Sequence, residues 1–584
     1  MIDPTPLSLE STPRGVWPGV LIAAMVFIVT APTLSWLEFS NGSENLNVAT
    51  ALEIRRTGNW LLPTLQGEPR YAKPPLTVWI TAASIRQFTF DALSNPDPTL
   101  RANAYRDAAW QMRWPAYATS CLSILALYLL ARALCGNQIA VSAALIFGTS
   151  FAFIRFSHSA TTDVYLTFWV TIANVFLVKA IFQNQRWTGF IGAGVAIGLA
   201  FMSKGPVALV QTLAPAIAFA TYRYYANRRA GRPSFIAHRS SLLPIAFAIF
   251  VGLLIALPWF IHVVSRIDAW SRWRREIMIG DQSVPGDSIL AYSSLFLILA
   301  PWTAFFIVGL FLAITHLRST AKPETRNPEP VIFALFLVFV PIVVMTCAHR
   351  DRNERYLLPM IGPASILAAY GLLSCFASRA AIPARIRNLL AAAQFAILIG
   401  AGVLLPLLGA TGLLKATTHD DGTPWFSWRL AISVALACLL ILLVGLYVYR
   451  RRPMSLIATS VLIMLIAQTI GAHGYRHTDL ASTRPLADLI WSRFPQADMY
   501  SYRPGQTGRR APEELSIYLN RSVRPIQDPA VLKPANRPQV VMVYQKAGRP
   551  MPDLPANWKA FAKLPRKEDA WHGFVVPPND SERR

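Results

Sequence analysis

The chain has 584 residues, 53% hydrophobic and 15% charged, with a formal net charge of +24. A soluble chain carries about 25% charged residues, and the apolar runs are too long and too free of charge for a string of soluble domains. The basic excess sits mostly as arginines between apolar runs, so it speaks for membrane topology rather than nucleic-acid binding.

Residues 1–16 are polar and Pro-rich. The first apolar run, Val16 to Leu37, has full span length and no small-residue cleavage signal, and it reads as a retained helix. Twelve more runs follow, at about 114–134, 137–154, 164–183, 188–202, 205–222, 242–264, 288–315, 331–347, 357–376, 388–410, 428–449 and 454–471. The expected fold is a polytopic α-helical membrane protein with about 13 transmembrane helices over residues 1–471. Residues 472–584 form a small soluble α/β domain, helix-like at Leu486–Phe494 and strand-like at 498–503 and 539–545. The five cysteines, Cys121, Cys135, Cys347, Cys375 and Cys438, show no metal or CxxC spacing and read as small apolar residues of the spans.

Sidedness follows the basic loops. Arginines and lysines crowd residues 223–241, 316–330, 377–387 and 450–452. With thirteen spans, all four loops fall on the cytoplasmic side together with the N-terminus, and the C-terminal domain falls outside. The outer side then holds 38–113, 155–163, the turn around Lys204, 265–287 and 348–356, all rich in ionisable residues. In the first outer loop, 38–113, the segment NVATALEIRRT (47–57) has helical apolar spacing suited to the membrane interface. LTVWITAASI, after Pro74 and Pro75, is too short to span and reads as an interfacial or re-entrant helix. Cations placed outside against the topology rule, as in 265–287, need another reason, and binding an anionic lipid or substrate is one.

Four short motifs lie on that outer side. ENLNVATALEIRRTGNWLLPTLQGEPRYAKPPL runs from Glu44 to Leu76, and Arg155, His158 and Asp163-Val-Tyr-Leu-Thr-Phe follow. Then come Ser203-Lys204-Gly205-Pro206 and, last, Arg352 with Glu354-Arg355-Tyr356-Leu-Leu-Pro. In this order they resemble the bacterial GT-C glycosyltransferases, namely the lipid A aminoarabinose transferase and its protein-mannosyltransferase-like relatives. The resemblance implies a GT-C-like fold and transfer of a sugar from a polyprenyl-phosphate donor to a lipid, glycan or protein acceptor, on the periplasmic face of a bacterial inner membrane. It implies Lys73, Lys204, Arg352, Arg355 and Tyr356 as donor-phosphate ligands, and Glu44, with Asp163 second, as the catalytic carboxylate. Ser43 stands where the family's first acidic residue falls. Either Glu44 takes over as base, or the base lies elsewhere, or the activity is altered.

The chemistry is consistent with such a set. Cations stabilise a phosphate leaving group, and a carboxylate deprotonates an acceptor hydroxyl. A phosphate acceptor needs no strong base. Each residue also has a duller reading: Glu44 as a helix cap, Lys73 and Lys204 as snorkelling anchors, Asp163 with Arg355 as a rim ion pair, and His158 as a packed polar residue. No cofactor and no His-based metal site are expected, and a carboxylate-bound divalent ion stays open. The expected partners are the lipid-linked donor, the acceptor and membrane lipids, with no nucleic acid, in a monomer. The rival functions are a transporter or flippase, against which no internal repeat is found, and a non-catalytic relative.

Overall fold

The computed structural model describes residues 15–36, 38–39, 42–229, 242–268, 270–271, 273, 288–318, 329–348, 352–376, 382–413, 423–475, 483–503, 513–532, 535–546, 548–566 and 569–576. Much of the basic loops and the 274–287 stretch lie outside the described residues.

The first helix, α1 (Trp17–Thr30), leads through a 3-10 turn into α2 (Gly42–Thr57), a small hairpin β1 (Thr64–Leu65) and β2 (Glu68–Pro69), α3 (Leu76–Ser84) and α4 (Gln87–Ala92). The bundle continues with α5 (Pro98–Cys135), α6 (Asn137–Gly148), α7 (Phe151–Phe156), α8 (Thr162–Phe182), α9 (Arg186–Lys204), α10 (Val207–Arg229) and α11 (Leu242–Arg266). It closes with α12 (Leu295–Ile298), α13 (Thr303–Arg318), α14 (Glu329–Ala348), α15 (Leu358–Phe376), α16 (Ala384–Ile399), α17 (Leu405–Thr411), α18 (Trp428–Tyr449) and α19 (Ser455–Tyr475).

Among the described residues, ten helices are long and apolar enough to cross a membrane, or eleven if the pair 290–298 and 303–318, bent by 116°, is one span. Thirteen is therefore not the number found. The α6 helix has 12 residues, about 18 Å at 1.5 Å per residue, against a hydrocarbon core of about 30 Å. The α10 helix is long enough, but Gln211, Pro215 and Arg223 dilute its apolar character.

Burial separates the centre of the bundle from its rim. The span Glu354–Phe376 is 83% buried within the protein and Leu243–Arg266 only 17%, so the latter turns its leucines and isoleucines toward lipid. Helices α8 and α9 form an antiparallel hairpin across residues 183–185, which brings the start of α8 and the end of α9 to one side of the bundle. Small residues let α9 approach its other neighbour closely: a Cβ at Gly194 would lie 2.4 Å from the Ala248 carbonyl oxygen on α11. This is the close backbone packing that replaces a hydrophobic driving force in lipid.

The α2 helix begins earlier than the pattern predicts and is buried on nearly every side, including Val48, Ala49, Leu52, Glu53 and Ile54. It does not lie bare on a membrane surface because the C-terminal region covers it. That region contributes α20 (Thr483–Arg493), α21 (Glu513–Leu519) and a five-stranded sheet. The strands are β3 (Asp498–Tyr502), β4 (Val523–Ile526), β5 (Gln539–Gln545), β6 (Lys559–Arg566) and β7 (Asp569–Val576), in the order β4-β3-β5-β7-β6. The β4-β3-β5 part is parallel and the rest antiparallel. Tyr518 of α21 donates its hydroxyl to Glu38, and Arg484 pairs with the same carboxylate at 2.9 Å. Arg101 of α5 reaches Asp488 at 2.8 Å.

Candidate active site

Asp163 opens α8 and Lys204 closes α9. Each is placed favourably for its own helix dipole, an acid at an N-terminus and a base at a C-terminus, and the helical hairpin makes the two meet. They form an ion pair, with Asp163 buried. Gly205 follows Lys204 at φ +82°, a left-handed conformation that ends the helix.

Arg355 and Tyr356 arrive from a short 3-10 turn, Glu354–Leu357, whose start is capped by Asn353 accepting from the Arg355 amide at 3.2 Å. The Arg355 Nε lies 3.8 Å from Asp163 Oδ2. The Lys204 ammonium sits 4.0 Å from the Tyr356 ring centroid, a cation–π contact. Arg155 of α7 pairs with Glu354 and holds the turn from its other side.

Lys73 completes the group from the first loop. Among the described residues it makes no hydrogen bond or ion pair. Burial pushes its ammonium down to about 7, helped by Lys204, Arg70 and Arg355 and opposed by Asp163. Lys204, Arg70 and Arg355 thus all act on Lys73, and Lys73, Lys204 and Arg355 act on the carboxylate of Asp163. Lys73, Arg70, Asn47, Thr50, Pro74 and Thr162 line a small polar cleft of about 260 Å³ that includes its open mouth. The balance of charge around Lys73, three cations to one carboxylate, is one that suits an anionic ligand.

Arg352, Glu44 and His158 engage other partners. Arg352 donates to the Thr346 carbonyl at 3.0 Å, at the end of α14. Glu44 is buried and held by Arg113 in a two-pronged pair, Oε1 to Nε at 2.7 Å and Oε2 to Nη2 at 2.8 Å. Its Oε1 also accepts from the Ala160 amide at 2.9 Å. Arg113 in turn donates to the Leu34 and Glu38 carbonyls, each at 3.0 Å. A carboxylate so engaged knots α2, α5 and the loop before α8 together. His158 is buried against Thr33 and Ser157, and burial, then Arg113, pushes its imidazole down to about 4, so it stands neutral. No group of three His, Cys, Asp or Glu among the described residues is placed to hold a metal ion.

Sequence reasoning missed Arg113, Arg70 and Glu53. Arg113 carried a signal, since a charge directly before an apolar run is costly and calls for a named partner.

The comparisons with known proteins agree with the motif resemblance. The family described as dolichyl-phosphate-mannose-protein mannosyltransferase matches residues 102–262. The chain is 27% identical over 367 residues to the undecaprenyl phosphate-alpha-4-amino-4-deoxy-L-arabinose arabinosyl transferase 2 of Proteus mirabilis, covering 61% of this chain and 59% of that one. The corresponding transferase of Pseudomonas aeruginosa is 23% identical over 370 residues, covering 62% and 60%. The chain thus spans about three fifths of the length of these curated relatives. Among solved structures, ArnT from Cupriavidus metallidurans bound to undecaprenyl phosphate superposes with a TM-score of 0.68 at 18% identity, over 95% of this chain and 97% of that one. That likeness shows the fold.

Proposed function

We propose that this chain, a GT-C-fold relative of the aminoarabinose transferases, is an integral-membrane glycosyltransferase that takes its sugar from an undecaprenyl-phosphate carrier. The observation that carries the reading is the cation cluster of Lys73, Lys204 and Arg355 about Asp163, set at one end of an apolar bundle. A polyprenyl phosphate has a matching split character, with a dianionic head and a long apolar tail. The transporter reading has no such support, since these charges gather at one end of the bundle rather than near its middle.

In the reaction, the bond between the anomeric carbon and the carrier phosphate oxygen breaks as an acceptor oxygen attacks from the opposite face, inverting configuration. Lys73, Lys204 and Arg355 stabilise the phosphate as it leaves. Tyr356 fixes the Lys204 ammonium from its ring face. Asp163 positions two cations rather than accepting a proton. With Glu44 engaged by Arg113, the set works most directly on an acceptor whose nucleophile is already an oxyanion, such as a phosphorylated lipid, which needs no general base.

The protein is read as a multi-pass protein of the bacterial inner membrane with the site on the periplasmic side. Arg223, after the bulk of α10, pairs with Glu329 at the start of α14 at 3.3 Å. Phe376, before the 377–387 loop, packs on Tyr449, before Arg450. These contacts support a common side for the basic loops, opposite Asp163, Lys204 and Arg355, which by the charge rule is cytoplasmic.

The direct test is transfer from an undecaprenyl-phosphate-linked sugar to lipid A by the purified chain. Transfer lost in Lys73→Ala and Lys204→Ala, with both variants folded, is the expected result. Full activity in both overturns the assignment.

A further inference from the structure

Lys73 lies in a loop, and a loop lysine serves an anion site only if something fixes its approach. The fixing point is on α2. Glu53 is buried, 2% exposed, and its two oxygens accept three hydrogen bonds from one turn. Oε1 accepts from the Thr64 hydroxyl at 2.8 Å and the Gly67 amide at 2.7 Å, and Oε2 from the Gln66 amide at 2.7 Å. Gln66 and Gly67 have φ of +56° and +81°. A non-glycine residue in the left-handed region is costly and persists only where its surroundings hold it. Here the carboxylate does so by binding the amides of both turn residues.

The strand that leaves this turn is pinned again three residues on. The Arg70 amide donates to the Pro63 carbonyl at 2.8 Å and closes the hairpin. Its guanidinium reaches back to α2, to the Leu46 carbonyl at 3.0 Å and the Thr50 hydroxyl at 2.9 Å. Beyond Lys73, two prolines lead into α3, whose Val78 and Ala82 pack on Ala51 and Ile54 of α2. Lys73 is thus suspended between two points, both fastened to α2.

We infer that Glu53 is a positioning residue for Lys73: its carboxylate sets the 64–67 turn and, through it, the register in which Lys73 enters the cation cluster. This rests on the reading that Lys73 meets the carrier phosphate, but the placement of Lys73 is measurable without any ligand. The group facing Lys73 comprises Lys204 and Arg355 from the bundle, Arg70 from its own loop, and Asp163 from α8.

The experiment follows acylation of Lys73 by acetic anhydride against pH in the purified full-length protein, read by peptide mass spectrometry, for wild type and Glu53→Gln. Glutamine offers one acceptor oxygen in place of two, so the turn loses part of its hold. The expected result is a break in Lys73 reactivity near neutral pH in the wild type, moved up by at least one pH unit in Glu53→Gln as Lys73 leaves the cluster. Binding of undecaprenyl phosphate at pH 6 is expected to weaken tenfold or more in the variant. An unchanged break overturns the inference. A moved break in a protein whose wild type does not bind undecaprenyl phosphate leaves the positioning role standing and removes the phosphate reading. Should Glu53→Gln fail to fold, Thr64→Val removes one bond of the three and should move the break in the same direction by less; an unmoved break in that variant equally overturns the inference.

Discussion

At the scale of single residues, two groups decide the chemistry, and the sequence offers them alike, as ionisable side chains in one outer loop. Lys73 and Glu44 differ in their partners. Lys73 is surrounded by other cations, and its ammonium, held near 7, titrates in the physiological range. A phosphate needs it charged, so binding costs progressively more as pH rises through 7, by up to about tenfold per pH unit until the pKa in the complex is passed. Lys73→Arg keeps its charge at every such pH and should bind undecaprenyl phosphate with the pH slope between 7 and 9 removed. A slope equal to that of the wild type would show that another group titrates.

Glu44 faces a buried arginine. Breaking a buried pair leaves the partner charge stranded, which costs about 3–5 kcal/mol. Glu44→Gln should therefore lower the thermal unfolding temperature in detergent well below that of wild type or Lys73→Ala. A variant of normal stability with turnover down by about 100-fold would instead restore Glu44 as the base. The sequence shows Glu44 as an acid in a first helical turn, but not its partner 69 residues away. That pairing is made by tertiary packing. Lys204, Asp163 and Arg355 were legible for the opposite reason: each sits at the end of an apolar run, where a charge has few uses other than a ligand or an ion pair.

At the scale of elements, the hairpin of α8 and α9 does the assembling. It places an acid and a base at the same end of two neighbouring helices, and α9 in turn leans on α11 through its glycines. Gly194→Ala puts a methyl group 2.4 Å from the Ala248 carbonyl oxygen, in a contact between two backbones. Overpacking of this kind costs about 1–3 kcal/mol. The variant should unfold at lower temperature and, because Lys204 rides on the end of α9, bind the carrier phosphate more weakly. Loss of stability with full binding would show that the end of α9 is held by α8 alone. Element type was legible from hydropathy throughout the bundle, whereas the number of spans was not. Hydropathy counts α6 and α10 as equals of the rest, but α6 is 12 residues long. The pattern of α2 indicates a helix with a wet side; the C-terminal region that covers that side lies more than 400 residues away.

At the scale of the whole molecule, the C-terminal sheet and its helices are joined to the bundle through the same loop that carries Lys73. The Gln66 amide group donates to the Ser516 hydroxyl at 3.2 Å, and Phe39 donates its amide to Tyr518 at 3.1 Å. Burial and the neighbouring Glu38 push the Tyr518 phenol well above its ordinary value, so it remains a hydrogen-bond donor across the physiological range. Tyr518→Phe deletes that donor and should loosen the docking by about 1–3 kcal/mol, since a charged acceptor is left behind. Faster amide hydrogen exchange in α20 and α21 is the expected sign, and an unchanged rate would argue that the docking does not depend on this bond.

In the proposed function, one end of the bundle holds the phosphate of a polyprenyl carrier. The most direct measurement is equilibrium binding of undecaprenyl phosphate to the purified chain, beside undecaprenol as the uncharged control, in wild type, Lys73→Ala and Lys204→Ala. Saturable binding of the phosphate but not of the alcohol is expected, weakened at least tenfold by either substitution. Equal binding of the phosphate and the alcohol, or affinity unchanged in both variants, would contradict it.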